Sequence, residues 1–244
     1  MSLFRDHGVV LRTYRLGEAD RIVVLLTENN GKVRAVAKGV RRTNSKFGGR
    51  LEPMSHVSLL LWQGRSDLDI VNQAEVIGAH RFVRQDLRRV TAGLALLEVV
   101  DRLAQERHAD RRLYRMLVGA LAVLDDPARD PALVPAAFFL KALVVEGAGP
   151  VVTGCASCGA TEPESELVAF DLLEGGMLCR RCRRGRPVSP AALGMLRQVL
   201  GGSLGSVLSG PAPSCADELT ALATEAMEAH LDHRLRAMRS VAGL

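Results

Sequence analysis

The stretch from Cys155 to Arg186 constrains the fold of this chain most, because it carries two Cys-x-x-Cys pairs. Cys155 and Cys158 form the first pair, and Cys179 and Cys182 form the second. Two intervening residues let both thiolates of a pair turn onto one ion, and a separation of about twenty residues between pairs is typical of a four-cysteine zinc module. Four sulfur ligands leave no open coordination position. The sequence therefore predicts a structural zinc ion rather than a catalytic one.

Two other uses of these cysteines stay open. A redox centre needs only one Cys-x-x-Cys pair, and two disulfides would need an oxidising compartment. The fifth cysteine, Cys215, lies far downstream, and we expect it to be an inert, buried thiol.

The composition favours a reducing compartment, and with it zinc over disulfides. Of the 244 residues, 48% are apolar, enough for a sizeable core. The first residues show no apolar segment of a signal peptide. No stretch approaches the length of a membrane-spanning helix without a charge, Gly or Pro. We therefore expect a cytoplasmic protein with no membrane partner.

Residues 7–77 contain short runs of aliphatic and β-branched residues that are typical of strands. The runs lie at 7–14, 21–27, 32–38, 51–62 and 68–77. Asn30-Gly31 predicts a hairpin between the second and third runs, because both residues accept a positive φ. Five strands and one long loop in about seventy residues predict a small closed barrel. An OB-type barrel is the best-known fold of this size, and the pattern alone does not exclude an SH3-like barrel.

From Arg81 onward, the apolar residues recur at helical spacing. Apolar residues at helical steps predict the buried face of a first helix: Leu87, Val90, Leu94, Leu97 and Val100 or Leu103. The apolar segment 133–145 predicts a central buried helix. Ser189-Pro190 predicts a helix N-cap and first turn. The predicted fold class is α+β: an OB-type barrel over residues 1–80, a helical domain over 81–150 and 187–244, and an inserted four-cysteine module over 151–186.

The segment from Lys32 to Arg50 is the strongest sign of a nucleic-acid partner. The net charge of the chain is only +5, but this segment has seven cations and no Asp or Glu. They are Lys32, Arg34, Lys38, Arg41, Arg42, Lys46 and Arg50. Cations on a strand and its following loop predict salt-dependent, sequence-independent binding to phosphates. The alternative is a solvated surface strand.

A second group of cations surrounds the last two cysteines. It comprises Arg180, Arg181, Arg183, Arg184 and Arg186. Some of this charge would offset four thiolates on a divalent ion. Because more arginines are present than that requires, we expect Arg180, Arg181, Arg183 and Arg184 to extend the DNA-binding surface.

Aromatic residues make up only 4% of the chain. Binders of single strands usually stack bases on aromatic rings. Phe47, inside the basic loop, is the best stacking candidate, whereas Tyr14 and Trp62 could equally be core residues. We therefore expect binding dominated by the phosphate backbone, with tolerance for single and double strands.

No catalytic motif stands out, and we predict that the chain is not an enzyme. Gly31-Lys32 is not a phosphate-binding P-loop, because Leu26 and Val33 occupy positions that require Gly and Ser or Thr. Asp67 and Asp69 could form a carboxylate pair, but structural roles at a turn are commoner for such residues.

The order of these parts resembles the bacterial recombination mediator family RecO over essentially the whole chain. The resemblance rests on Val36-Ala37-Lys38-Gly39-Val40-Arg41-Arg42, on Lys46, on Gly49-Arg50-Leu51-Glu52-Pro53 and on the four cysteines between helices. In this family, some members carry zinc and others have lost it.

The resemblance implies an OB-fold joined to a helical body, and binding and annealing of single- and double-stranded DNA in the cytoplasm at the nucleoid. It implies partnership with RecR and with the acidic C-terminal tail of single-stranded-DNA-binding protein (SSB), and indirectly with RecA, which is loaded during DNA repair. It assigns DNA contact to Lys38, Arg41, Arg42, Lys46 and Arg50. The resemblance places the tail-binding pocket in the helical body without assigning its residues. Arg111, Arg112 and Arg115 would suit an acidic partner.

Two other functions remain open from the residues alone. One is a zinc-containing regulator that binds selected nucleic-acid sequences. The other is a structural or adaptor protein whose basic segment is only a solvated face.

Overall fold

The computed structural model describes residues 2–64 and 67–239. These residues form two compact units, one ending at Asp125 and the other beginning at Asp126. The first two helices after the strands thus belong to the same unit as the strands. The domain limits predicted at residues 80, 150 and 186 stay predictions.

A closed five-stranded barrel opens the chain, which confirms the predicted fold class. The strands are β1 (Leu3–Leu16), β2 (Asp20–Thr27), β3 (Gly31–Ala37), β4 (His56–Trp62) and β5 (Asp69–Gly78), and their order around the barrel is β1-β2-β3-β5-β4. The long strand β1 pairs with both β2 and β4. A bulge between Val10 and Arg12 bends β1, so that one strand can serve both neighbours.

The interior of the barrel is filled by the alternate residues that the strand pattern predicts. They are Val10, Val23, Leu25, Val33, Ala35, Ala37, Val57, Leu59, Leu61, Val71 and Ala74, together with Phe47 and Leu51 from the connection between β3 and β4. That connection includes a short 3₁₀ helix at Gly48–Leu51, so the fourth strand begins five residues later than its apolar run predicts.

Strands β3 and β5 close the barrel with a short parallel contact of two residue pairs, Ala35↔Asp69 and Val36↔Ile70. Beyond this contact, the edge of β3 is covered by the connection between the first two helices. The Lys32 amide donates to the Gln105 carbonyl (3.1 Å), and the Arg107 amide donates to the Lys32 carbonyl (3.1 Å). Gly31 is required here, because a Cβ would lie 2.0 Å from the His108 carbonyl oxygen.

Two helices complete the first unit, α1 (Leu87–Leu103) and α2 (Arg111–Asp125). Asp86 caps α1 by accepting a hydrogen bond from the Arg89 amide. The predicted buried face of α1 is partly wrong. Leu97 and Val100 are buried, but Leu87 is 67% exposed and Leu94 is also exposed. Val90 and Leu103 are half-buried. The buried face instead runs through Ala92, Leu96 and Val99 and their neighbours.

The second unit is built around α3 (Val134–Val145), which has nine buried residues and confirms the predicted central helix. The three-stranded sheet contains β6 (Leu167–Asp171), β7 (Gly176–Cys179) and β8 (Arg186–Pro187), and the remaining helices are α4 (Pro190–Leu200), α5 (Leu204–Val207), α6 (Ala216–Leu231) and α7 (Arg236–Arg239). Ser189 caps α4 as predicted, accepting from the Ala192 amide at 3.2 Å. Within the described residues, none of the helices has both the length and the apolar character needed to cross a bilayer.

The two acidic residues Asp67 and Asp69 do not act as a pair. Asp69 is fully buried and accepts a hydrogen bond from the Arg107 guanidinium at 2.8 Å, whereas Asp67 is exposed. Asp69 also accepts from the Gly64 amide at 3.1 Å. The hydrogen bond between Arg107 and Asp69 raises the pKa of Arg107. The contact ties the connection between α1 and α2 to the start of β5.

We expect Asp69→Ala to lower the free energy of unfolding of the first unit by about 2–3 kcal/mol. Removal of one partner leaves a charge without its counter-ion, although solvent around Arg107 reduces the cost. Asp67→Ala is the matched control and should change the free energy of unfolding by about 0.5 kcal/mol or less. Urea unfolding of both variants measures the difference. Equal effects would contradict a special role for the buried carboxylate.

Candidate nucleic-acid interface and metal centre

The basic loop, residues 38–50, begins where β3 leaves the barrel wall. Along β3, Val33, Ala35 and Ala37 face the interior and are fully buried. Lys32, Arg34 and Val36 alternate with them on the outer face. Lys38 is exposed at the end of this outer series, followed by the exposed Arg41 and Arg42. The strand pattern thus directs cations outward, at the same edge from which the loop departs.

Three cations of the basic loop bond to main-chain carbonyl groups rather than to carboxylates. Arg41 Nη1 donates to the Glu18 carbonyl at 2.9 Å, and Lys46 Nζ donates to the Asn72 carbonyl at 2.8 Å. Arg50 Nη1 donates to the Lys46 carbonyl at 2.5 Å. Neutral acceptors hold these side chains in place without cancelling their charge.

Across the described parts of the chain, none of the recorded ion pairs involves Lys38, Arg41, Arg42, Lys46 or Arg50. All five are exposed, and Arg34 is half-buried beside them. A group of exposed cations without acidic partners produces a positive potential that attracts polyanions.

Lys32 does not belong to this exposed group, contrary to the sequence prediction. Its side chain is only 15% exposed, and its Nζ donates to the Asp101 carbonyl at 2.6 Å and lies 3.8 Å from the Asp101 carboxylate. Asp101 also pairs with Arg12 at 2.9 Å. Lys32 therefore joins β3 to α1, and its charge is already compensated.

The prediction that Phe47 stacks on a base is also wrong. Phe47 is 1% exposed and is part of the barrel core. The chain turns inward at this position, and Lys46 Nζ lies 5.0 Å from the centre of the ring. The exposed aromatic residues of the barrel are Tyr14 and Trp62, which the sequence left undecided between core and surface.

The four predicted metal ligands come together in the second unit. The sulfur atoms of Cys155, Cys158, Cys179 and Cys182 all lie within 4.8 Å of one another. Two of them, Cys158 and Cys179, are 3.8 Å apart. A tetrahedron with zinc–sulfur bonds of about 2.3 Å has edges of about 3.8 Å. Because a disulfide needs about 2.05 Å, the arrangement fits a shared metal ion better than a bond between sulfurs.

Local hydrogen bonds place the two cysteine pairs. Gly159 donates its amide to the Cys155 carbonyl at 2.8 Å and has a positive φ of 75°, which closes the first turn. The Ala156 amide donates to the Met177 carbonyl at 2.8 Å, so the first turn is held against β7. Cys179 ends β7, and the Cys182 amide donates back to the Cys179 carbonyl at 3.1 Å. The sheet thus positions the second pair.

The thiols themselves favour a bound cation. Backbone hydrogen bonds, first from Cys182, and a hydrogen bond with Ser165 lower the pKa of Cys179 to about 6. The pKa of Cys182 is raised to about 12, first by its interaction with the Cys158 sulfur. Negative charge on one sulfur thus opposes ionisation of its neighbour. A divalent ion would remove this conflict, because it stabilises all four thiolates together.

Most of the arginines around the second cysteine pair already interact with a carboxylate or with a cysteine sulfur. Arg180 lies 2.6 Å from the Glu166 carboxylate, and Arg184 bonds to Glu174 and lies 3.5 Å from Asp171. Interaction with the Cys158 sulfur raises the pKa of Arg181. Arg183 is exposed. These contacts differ from those of the basic loop, since carboxylates and sulfur already offset the positive charge.

The other two groups named from the sequence lie elsewhere. Cys215 is buried at the start of α6 and is not part of the four-sulfur cluster. Arg111, Arg112 and Arg115 are exposed on the first turns of α2, where Arg111 donates to the Asn29 side chain at 2.7 Å.

Comparison with known proteins gives a consistent result along the chain. The family model described as Recombination protein O N terminal matches residues 1–80, and the model described as Recombination protein O C terminal matches residues 84–239. The first match covers the barrel and the basic loop. The second covers the helices and the four cysteines.

Individual relatives give the same result as the two family models. A protein of Thermobifida fusca is 42% identical over 245 residues, which cover 99% of this chain and 99% of the relative. A protein of Frankia casuarinae is 43% identical over 98% of both chains, and one of Streptomyces coelicolor is 42% identical over 99% of both. All three are named DNA repair protein RecO. With both family models and near full-length relatives in agreement, this chain belongs to the recombination protein O family, RecO.

Proposed function

We propose that this protein is a non-catalytic recombination mediator that acts in DNA repair. It binds single- and double-stranded DNA, anneals complementary strands and, with RecR, helps to load RecA onto strands coated with SSB. Membership of the family supports the role in repair. The observation that carries DNA binding is the basic loop, in which neutral carbonyl groups hold Arg41, Lys46 and Arg50. Within the described residues, its five cations have no acidic partner among the ion pairs.

Annealing requires two polyanions to approach each other, and their mutual repulsion opposes this step. Lys38, Arg41, Arg42, Lys46 and Arg50 would bind phosphates of both strands and release the counter-ions condensed on them. No sequence readout is needed, because base pairing itself selects the correct partner. A surface that contacts phosphates is therefore sufficient for this part of the function.

We further propose that the four cysteines hold a structural zinc ion. The compatible distances between the sulfurs and the soft thiolate donors support zinc over oxygen-preferring ions such as Mg²⁺ or Ca²⁺. The ion would cross-link the two cysteine turns, in addition to the main-chain hydrogen bond from Ala156 to Met177. With four sulfur ligands, its contribution is to stability and not to chemistry.

Proposed partners other than DNA follow from the family. These are RecR, the acidic tail of SSB and, indirectly, RecA, in the cytoplasm at the nucleoid. The exposed arginines at the start of α2, Arg112 and Arg115, would suit an acidic tail. A tail affinity unchanged by Arg112→Glu and Arg115→Glu would contradict this placement.

The DNA-binding proposal predicts a selective loss of affinity when three cations of the basic loop are neutralised. The triple variant Lys38→Gln, Arg41→Gln, Arg42→Gln should bind both single and double strands at least about tenfold more weakly at low salt. The slope of log affinity against log salt should become shallower by about 2–3, because up to three phosphate contacts are lost. Fluorescence anisotropy with labelled oligonucleotides measures both quantities, and annealing of SSB-coated complementary strands should slow accordingly.

A variant with the same change in net charge provides the control. Arg180→Gln, Arg183→Gln, Arg184→Gln removes three cations from the second unit, two of which are already paired with carboxylates. We expect a much smaller effect on affinity and slope. Equal losses in the two triple variants would show that net charge alone determines binding. If the wild-type protein binds some base sequences much more tightly than others, this would instead favour the alternative function, a regulator that binds selected nucleic-acid sequences.

The metal proposal predicts about one zinc ion per chain and its loss in Cys179→Ser. Elemental mass spectrometry measures the metal, and thermal unfolding should show a less stable second unit that aggregates more readily. DNA affinity that depends on the basic loop should be unchanged. Cys215→Ser is the control, because this cysteine is buried outside the cluster and should retain the metal. A wild-type protein that is fully stable without zinc would contradict the proposal.

A further inference from the structure

A continuous row of apolar side chains crosses the outer surface of the barrel. Following the strand register, Tyr14 on β1 pairs with Ile22 on β2, and Ile22 pairs with Val36 on β3. Val36 pairs with Ile70 on β5, and Ile70 pairs with Trp62 on β4. We call these five residues the outer row. One side chain from each strand is directly adjacent to the next, although the residues are far apart in sequence.

The outer row is accessible, and its two ends are aromatic. Tyr14 is 42% exposed and Trp62 is 38% exposed, while Ile22, Val36 and Ile70 between them are half-buried. The residues on either side of Val36 and Ile70 in the chain, Ala35 and Val71, point into the barrel core. The alternation of the strands therefore fixes the outward direction of the outer row.

Cations flank the outer row. Arg12 lies over the ring of Tyr14, with 5.0 Å between its Cζ and the ring centroid, but its charge is already paired with Asp101 at 2.9 Å. The cations that remain available are on and after β3. Arg34 lies two residues before Val36 on the same face of β3, and the exposed Lys38 follows directly after the strand ends at Ala37. Arg41 bonds to the Glu18 carbonyl, beside the turn that follows Tyr14. A nearby acidic residue, Asp20, already accepts a hydrogen bond from the Gly39 amide at 2.7 Å.

Sheet stability alone explains only part of this pattern. Half-buried Ile and Val in neighbouring strands are common cross-strand partners. The exposed rings at both ends are different, because an aromatic ring that stays in contact with water contributes little to the core. An exposed apolar strip flanked by cations has the features that recognise an anionic ligand with flat apolar groups.

We propose that the outer row is a stacking platform for unpaired bases, with Tyr14 and Trp62 as the stacking residues. This inference rests on the proposed function and adds selectivity to it. The basic loop would bind the phosphates of any DNA, and the outer row would contact bases only where they are unpaired. In a duplex the bases stack on one another and their faces are not available. The barrel would therefore favour single strands.

The dimensions of the outer row suit a short stretch of single strand. Neighbouring strands of a sheet are about 4.8 Å apart, so four steps from Tyr14 to Trp62 cover about 19 Å of surface. OB-type barrels bind about 4–16 nucleotides in a groove that combines cations with aromatic rings. The turn after β1, which bounds such grooves in OB-folds, adjoins the Tyr14 end of the outer row.

The protein carries its own probe for this contact, because Trp62 is the only tryptophan. The full-length protein is titrated with an oligothymidylate, with an abasic single strand of the same length and with a duplex. The fluorescence of Trp62 should be quenched by the oligothymidylate and much less by the other two. The abasic strand has the phosphates but no bases, so it separates stacking from charge attraction.

A variant then tests the other end of the outer row. Tyr14→Ala should weaken binding of oligothymidylate about tenfold and leave the affinities for the abasic strand and the duplex nearly unchanged. Phe82→Ala is the matched control, because Phe82 is an exposed aromatic residue outside the barrel row and should have no effect. Circular dichroism confirms that both variants are folded.

The outcomes separate this inference from the proposed function. Salt-dependent binding of all three ligands without quenching, and without a loss in Tyr14→Ala, would overturn the stacking platform and leave phosphate binding intact. Absence of binding to any ligand would overturn both. A change in Trp62 fluorescence with protein concentration alone would assign the outer row to contact between copies of the chain, and would also overturn the proposal.

Discussion

The closure of the barrel between β3 and β5 is the contact on which the first unit depends. Only two residue pairs join these strands, and the pairing is parallel. The connection between α1 and α2 extends this weak edge by main-chain hydrogen bonds to Lys32, and the ion pair of Arg107 with the buried Asp69 fixes it from the other side. Because the basic loop leaves β3 just beyond this closure, the position of its cations depends on a correctly closed barrel.

The cations of the first unit fall into two classes, which differ in whether their partner is a carboxylate or a main-chain carbonyl group. Lys32, Arg12 and Arg107 pair with carboxylates and join parts of the fold. Arg41, Lys46 and Arg50 bond to carbonyl groups and keep their charge available. Exposed charges separated by about a Debye length or less reinforce each other's potential. The distinction therefore matters more for polyanion binding than the net charge of the chain does.

The sequence predicts those features that depend on spacing along the chain. Alternation gave the strands, Asn30-Gly31 indicated the hairpin, and the two Cys-x-x-Cys pairs indicated the cluster. It could not predict contacts set by distant residues. Phe47 lies in a loop, where no periodicity tells whether a side chain faces the core. Leu87 and Leu94 lie on a helix with apolar residues on more than one face, so the pattern alone does not identify the packed side. The outer row was invisible for the same reason, since its five residues become neighbours only through the strand register.

Separate contacts for phosphates and bases would also help a protein that anneals strands. An annealing protein must bind its substrates, two single strands, and then release a duplex. Contacts to phosphates are present in both states and cannot favour release. Stacking on Tyr14 and Trp62 would be lost when the bases pair, so the protein would bind the substrate more tightly than the product. The contact must remain weak, however, because tight binding of the single strand would itself oppose pairing. Two exposed rings joined by half-buried aliphatic side chains, rather than a deep aromatic pocket, meet both requirements.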